Sequence, residues 1–519
     1  RITHGRMTLR RETVDLRRGA YHDSVSLMQV SRAVARTPGV DAAQVAMATE
    51  LNVEVLTGMG FTVPEGAGPN DLVIALRATD DAALAAGLAA VEAALADLRR
   101  GSASAGELGS APDPLTLGAA VRRAGAGLVV VSVPGSHAVT EAFDAIDACA
   151  SVMLFSDNVS VADEIALKDA AAAADVLVMG PDCGTAVVNG VALGFANVVR
   201  RGSVGIVAAS GTGAQQVMCL LDAAGVGISH CLGVGGRDLK HEVGGRSTRQ
   251  ALRALAADPA TESVIVVSKP PDDGVLAEIE ALGSDLGLRV HFAILGEGRP
   301  DLTSSTEQFL HSTGHPVPAW PAEHATQGTA PDLGTAAEQG SARDRGAALR
   351  GLYCGGTLAD EAMIVAGSSL GAIRSNIAHD EDLLLSGDLR APGHLVIDFG
   401  DDGLTRGRAH PMIDPTLRME RIALEAADAS CGVLLLDLVL GHGAHPDPAG
   451  ELAAAIRAAR STAADAGRDL PVVVALVGTD ADPQGRADAQ RLLAEAGASV
   501  FLSNAAATAH AVSLLGSPA

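Results

Sequence analysis

The 519 residues predict an α/β protein of three doubly wound parallel-sheet domains, Rossmann or flavodoxin-like, preceded by a small ferredoxin-like α+β unit. Three observations point there. Short continuous apolar runs alternate with Ala-rich helical segments, the pattern of parallel strands buried on both faces. Glycine-rich turns follow several of these runs, at the carboxyl ends where such sheets hold their ligands. Aromatic residues make up only 2% against 48% hydrophobic, so the cores are built from Ala, Val and Leu. That composition suits helices packed closely on strands.

In chain order, Thr13–Arg18, a helical Ser24–Arg36, Ala43–Ala48, a helical Leu51–Met59, Leu72–Arg77 and a helical Ala82–Leu98 make a β-α-β-α-β-α unit over residues 1–98. A stretch rich in Gly, Ser, Ala and Pro follows, and residues 99–114 read as a linker. Apolar runs then recur at Leu128–Val133, Val152–Phe155, Val176–Met179, Val204–Ala208, Val264–Val267 and Val290–Leu295. This length fits two domains, 115–226 and 227–311, with a boundary expected near Gly225–Ser229. Proline-rich residues 312–345 read as a second linker. A third doubly wound domain spans 346–519, on Leu352–Cys354, His394–Asp398, Gly432–Leu438, Pro471–Val477 and Ser499–Leu502.

A formal net charge of -24 argues against nucleic acid, whose phosphates need Lys and Arg, and stacking platforms for single strands are missing. The six cysteines (149, 183, 219, 231, 354 and 431) form no CxxC pair, which points away from disulfides and zinc and toward a reducing compartment. No apolar run approaches the ~18–20 residues that cross a bilayer. The opening residues lack a signal peptide's apolar core. The expected location is the cytoplasm, with no membrane partner.

Five motifs carry candidate chemistry. Ser210-Gly211-Thr212-Gly213 follows the run Val204–Ala208 and opens a helix, offering backbone N–H groups and hydroxyls to a phosphate. The plainer alternative is a capped strand-to-helix turn. Gly180–Thr185 places Cys183 and Gly184 in a sharp loop that lines a pocket or simply buries a small thiol. Gly235 and Gly236, in Gly233–Asp238, permit either close approach to a ligand or a tight turn. Gly441-His442-Gly443-Ala444-His445 follows Val433–Leu440 and precedes a helix, so it is a second candidate anion site with two imidazoles. His442 or His445 can hold a phosphoryl oxygen, act as general acid or become phosphorylated; a capping loop is the alternative. Arg418, closing the Pro-bracketed loop His410–Arg418, can clamp a carboxylate or phosphate, or belong to a structural ion pair. His442 and His445 stand at HxxH spacing but sit on one loop, and no HExxH occurs, so no metal site is expected; no GxxxxGK[ST] is present.

The succession VVVSVPGSHAVTEAFDA, MGPDCGTA, GSVGIVAASGTGAQQV, GVGGRDL and DPATESVIVV resembles the α subunit of succinyl-CoA synthetase. GHGAHPDPAGELAAAI is similar to the glycine turn and helix of that enzyme's β-subunit carboxy-terminal domain. Over nearly its whole length, including YHDSVSLMQVSRAV, AHPMIDPTLR and GAHPDPA, the chain resembles the FdrA family.

The resemblance implies that Ser210–Gly213 and Gly441–His445 are two helix amino ends converging on one phosphate. It also exposes departures. No first CoA-gripping turn and no ATP-grasp domain occur, and GEGRPDLTSS lacks the phosphorylated His. Lys269-Pro270-Pro271 stands where the Glu that steadies that His belongs. For FdrA proteins the implied activity is a carbamoyl transfer in ureide catabolism, oxalurate plus phosphate giving oxamate plus carbamoyl phosphate. Partner subunits, and a homo-oligomer, are implied with it. On that reading Arg418 stabilises charge and His445 protonates the leaving amide. The rival is an ADP-forming acyl-CoA synthetase that binds CoA along Val133–Val139 and Cys183 and borrows an ATP-grasp partner. A third reading is a non-catalytic ligand-binding scaffold.

Overall fold

The computed structural model describes residues 11–20, 22, 24–64, 66–103, 113–325, 346–405 and 408–515. It divides into two compact units, one made essentially of residues 1–114 and the other of residues 115–519. The expected linkers at 99–114 and 312–345 lie partly outside the described residues.

In the first unit, strands β1 (Arg11–Arg17), β2 (Val40–Met47) and β3 (Leu72–Ala78) alternate with helices α1 (Ser24–Ala35), α2 (Glu50–Gly58) and α3 (Asp81–Ala103). β3 lies between the other two and runs antiparallel to both. The sheet is therefore a split β-α-β, with three strands among the described residues rather than the four of a complete ferredoxin-like sheet. Leu72, Ile74 and Leu76 alternate onto the face that packs with Leu27, Val34, Val91 and Leu95.

The second unit opens with α4 (Leu117–Ala124), β4 (Leu128–Val131), α5 (Gly135–Asp147), β5 (Ser151–Leu154), α6 (Val161–Ala173) and β6 (Val178–Met179), giving a three-stranded parallel sheet. A hairpin of β7 (Thr185–Val188) and β8 (Val191–Gly194) follows. Next come β9 (Arg201–Ala208), α7 (Gly211–Ala223), β10 (Ile228–Gly233), α8 (Arg246–Ala257), β11 (Ser263–Ser268), α9 (Asp273–Asp285), β12 (Arg289–Ile294) and α10 (Leu302–Ser312). Their sheet has the order β12-β11-β9-β10-β7-β8.

The boundary expected near Gly225–Ser229 is not there. β9 and β10 are parallel neighbours joined through α7, so those residues are an ordinary helix-to-strand loop inside one sheet. The change of sheet falls instead after β6.

The third sheet contains β13 (Ala322–Glu323), β14 (Ala348–Tyr353), β15 (Ile373–Arg374), β16 (His394–Asp398), β17 (Cys431–Val439), β18 (Val472–Val477) and β19 (Ala498–Phe501). Its helices are α11 (Gly356–Leu370), α12 (Asp402–Thr405), α13 (Thr416–Ala427), α14 (Pro448–Asp465), α15 (Arg486–Glu495) and α16 (Asn504–Leu514). The order is β13-β19-β18-β17-β14-β16-β15, parallel except for β13. Part of the expected second linker is thus a strand, because β13 pairs with β19. Just before it, Trp320 packs against both the middle-sheet and third-sheet cores and donates its indole N–H to Glu307 at 2.7 Å.

α7 lies between the middle and third sheets, and residues 213–221 are all buried. Its two glutamines bond across the seam: Gln215 Nε2, which also donates to Asn197, reaches the Leu440 carbonyl at 3.4 Å, and Gln216 Nε2 donates to the Leu502 carbonyl. A second tie joins the three-stranded sheet to the middle one. The Lys168 ammonium, 1% exposed, donates to Glu164 and Asp238 at 2.7 Å each and to the Val234 carbonyl at 2.9 Å.

Candidate functional site

Topology selects one place. In the middle sheet the chain leaves β9 toward β10 on one side and returns to β11 on the other, so the crevice opens beside β9 and β11. In the third sheet the reversal lies between β14 and β17. The helices that follow β9 and β14 are α7 and α11, and their amino ends meet.

Ser210 caps α7, its Oγ accepting the Gly213 N–H at 3.0 Å, and the same oxygen lies 2.6 Å from Thr357 Oγ1 in the first turn of α11. Gly355 leaves room for Thr212, whose Oγ1 would be 2.8 Å from a Cβ there. α11 has glycine at its N-cap and no side-chain cap, which leaves its first N–H groups to another acceptor. Gly211 is exposed, so the junction is open to solvent at α7.

Charged side chains ring this junction. A Cβ on Gly356 would lie 2.7 Å from Asp398 Oδ2 and 3.3 Å from Lys269 Nζ. Lys269 is held by Asp360 at 2.9 Å, and His379 reaches the other Asp360 oxygen at 3.6 Å. Burial outweighs the hydrogen bond from Gly400 and the nearby Lys269 and pushes the Asp398 carboxyl up to about 7. Burial also lowers His410 to about 4, so its ring is neutral near pH 7. His410 Nδ1 accepts the Met412 N–H at 3.2 Å, which places the ring hydrogen on Nε2.

The second anion loop is built differently from expectation. Its N–H groups are largely spent within the protein: Gly441 donates to Gln484, His442 to the Ala196 carbonyl and His445 to the Met412 carbonyl. A Cβ would lie 2.6 Å from the Ala196 carbonyl at Gly441 and 3.0 Å from the Gly194 carbonyl at Gly443. These glycines allow backbone to pack on backbone; Ala444 is half-buried beside them. α14 is capped by Asp447, whose carboxylate accepts the Gly450 N–H and occupies the position an anion would take. The second helix end at the junction is therefore α11.

His445 is 3% exposed; its Nδ1 accepts from Asp447, and its Nε2 lies 3.1 Å from Glu451. His442 is exposed on the loop surface. Arg418 is not an available clamp. It is 2% exposed, pairs with Asp437 at 3.0 Å and donates to the Leu352 carbonyl. Asp437 in turn accepts the N–H groups of Cys354 and Gly355, so Arg418 shapes the entry to α11 from within the core.

Cys183 is buried, and burial pushes its thiol up to about 12, which removes it as a reactive group. Gly184 supports the hairpin, its carbonyl accepting the Phe195 N–H. Gly235, at φ +90°, needs its lack of a side chain because a Cβ would lie 2.7 Å from the Pro181 carbonyl. Gly236 is exposed. In the same loop Asp238 grips Lys168 and caps α8 through Ser247 and Thr248. Thr357, Lys269, Asp360, Asp398 and His410 complete the junction.

The chain is similar to several known proteins. Residues 7–111 match the family described as "AllF, heavy metal-associated domain", although that segment contains no cysteine. Residues 352–514 match the CoA-ligase family. The chain is 38% identical to the protein YahF of Escherichia coli (strain K12) over 486 residues, 92% of this chain and 93% of that one. It is 26% identical over 203 residues to the succinate–CoA ligase (ADP-forming) α subunit of Methanothermobacter thermautotrophicus, covering 36% of this chain and 68% of the subunit. A solved acetyl-coenzyme A synthetase from Ca. Korarchaeum cryptofilum aligns over 79% of this chain and 86% of that one, at 15% identity and a TM-score of 0.30. Residues 352–514 are thus a CoA-ligase-like segment, and about a third of the chain is similar to succinate–CoA ligase α subunits. No helix among the described residues is long and apolar enough to cross a membrane.

Proposed function

Starting from the fact that the chain belongs to the FdrA-like family of E. coli YahF, we propose that it holds the phosphoryl group of an acyl phosphate where α7 and α11 meet. The observation that carries this is the contact of two helix amino ends through Ser210 and Thr357, with the ammonium of Lys269 beside them. Helix amino ends and a fixed cation stabilise a tetrahedral dianion and the charge that develops as an acyl group moves onto it.

The specific reaction is phosphate-dependent carbamoyl transfer in the cytoplasm. A phosphate oxygen attacks the carbamoyl carbon of oxalurate, the carbon–nitrogen bond breaks, and oxamate leaves with the nitrogen. Partner subunits complete the enzyme.

A second reading has its own support. The CoA-ligase match over residues 352–514 and the succinate–CoA ligase relatives favour an acid–thiol ligase that works with an ATP-grasp partner. A thermal-shift panel separates the two, because a ligand of the native state raises its melting temperature. Stabilisation by carbamoyl phosphate, or by phosphate with oxamate, supports carbamoyl transfer. A response to CoA, or to ATP with Mg²⁺, transfers the conclusion to the ligase. Silence toward all of them rejects both.

A further inference from the structure

Asp398 ends β16 at the junction and is nine-tenths buried. Its backbone is fixed on both sides by Asn376, which accepts its N–H at 2.9 Å and donates to its carbonyl at 2.8 Å. Oδ1 accepts the Gly400 N–H. Oδ2 takes no hydrogen bond among the described residues and faces the gap left by the missing side chain of Gly356, the first residue of α11. A carboxylate aimed into an anion site is electrostatically misplaced. A carboxylic acid there is a donor.

We propose that Asp398 is the proton-carrying group of this site, taking up a proton as a tetrahedral anion enters the α7–α11 junction and passing it to the atom that leaves the acyl carbon. This rests on the anion-site reading above and gives the proton-donor role to Asp398 rather than to His445. The step balances. As an oxygen of hydrogen phosphate bonds to the acyl carbon and the carbon–nitrogen bond breaks, the carboxyl proton goes to the leaving nitrogen. The proton of the hydrogen phosphate then restores the carboxyl.

The groups that face Asp398 are Lys269 after β11, Asp437 on β17, Asp401 on its own loop, and Asp360 of α11 with its partner His379. His410 approaches from the other side of Gly400, where a Cβ would lie 2.8 Å from its Nε2 and 3.1 Å from Asp398 Oδ1. His379 also gains from an anion nearby, so proton uptake must be assigned by substitution. Burial already brings the carboxyl to about 7, within reach of a modest further shift.

The test is titration calorimetry of the full chain with sulfate, which has the shape of phosphate but no proton of its own to exchange near neutrality. Titrations at pH 6, 7 and 8, each in two buffers of different ionisation enthalpy, count the protons taken up. The wild-type chain should take up close to one proton at pH 8, with affinity falling toward tenfold per pH unit above 7. Asp398→Asn should bind sulfate with little uptake and a nearly flat pH dependence. Binding by the wild type without uptake, or uptake that survives in Asp398→Asn, overturns the role of Asp398 while leaving the anion site in place. If Asp398→Asn does not fold, the same titration of His379→Gln decides: uptake that persists there stays with Asp398, and uptake lost there overturns its role. No sulfate binding, or binding indifferent to Gly356→Ala, overturns the anion site and the inference with it.

Discussion

Replacing Lys168 with Met should cost about 3 kcal/mol, and the structure indicates why the loss falls at the lower end of its class. Breaking a buried ion pair by removing one partner typically costs about 3–5 kcal/mol, because the remaining charge is stranded. Lys168 faces two carboxylates that are each at most 1% exposed. Neither is left bare, however. Glu164 keeps Arg237 at 3.0 Å, and Asp238 keeps the N–H groups of Ser247 and Thr248 and the Thr248 hydroxyl. At about 2 cal/mol/K of unfolding entropy per residue, a cooperative body of some 400 residues moves only about 1 °C per kcal/mol. Urea unfolding of the full chain is therefore the better assay. Adding Asp238→Asn to Lys168→Met should recover part of the loss, since the stranded charge goes with it. A Lys168→Met chain within about 0.5 kcal/mol of wild type would refute the argument that this buried cation ties the three-stranded sheet to the middle one.

Other substitutions separate site from scaffold. Gly356→Ala should weaken sulfate binding at least tenfold with an unchanged circular dichroism spectrum, because its Cβ enters the space between Asp398 and Lys269. Gly443→Val should lower stability by about 1–3 kcal/mol in urea and leave sulfate affinity alone, since the residue sits at φ +77° against the Gly194 carbonyl. Burial raises the Glu361 carboxyl from 4.5 to about 7 against the donors Asn504 and Leu302. The folded chain then keeps a proton that the unfolded chain releases as pH rises from about 4.5 to 7, so this group erodes stability across that window. Glu361→Gln should flatten the decline in denaturation midpoints measured over it. Iodoacetamide followed by mass spectrometry should find Cys149 modified first, because the other five thiols are buried.

The sheets were legible because their strands are continuous apolar runs, as at Val264–Val267, inside β11, and Val290–Leu295, which overlaps β12. Ser210–Gly213 was legible for a related reason, as a glycine turn with a hydroxyl cap directly after such a run. The β7–β8 hairpin has a local signal that the apolar-run pattern passes over: Asn189-Gly190 between AVV and VAL is a two-residue hairpin turn. The identity of the second helix end was not accessible from pattern. Gly355-Gly356-Thr357 and Gly441-His442-Gly443 are similar turns, and only the strand order of the third sheet places the first against α7. Asp398, Lys269 and Asp360 come from β16, the end of β11 and α11, so no spacing along the chain connects them. Arg418 is the converse. As a sequence motif it suggests a ligand, but burial commits it to Asp437.

Trp320 is the only tryptophan among 519 residues. It rests on both the middle and the third core, and its indole nitrogen is held by a helix of the middle sheet. The protein consequently carries a built-in optical gauge of the seam that the proposed site straddles. Any separation of those two sheets, on denaturation or during a catalytic cycle, would wet one face of that indole and shift its emission to the red, with no label added.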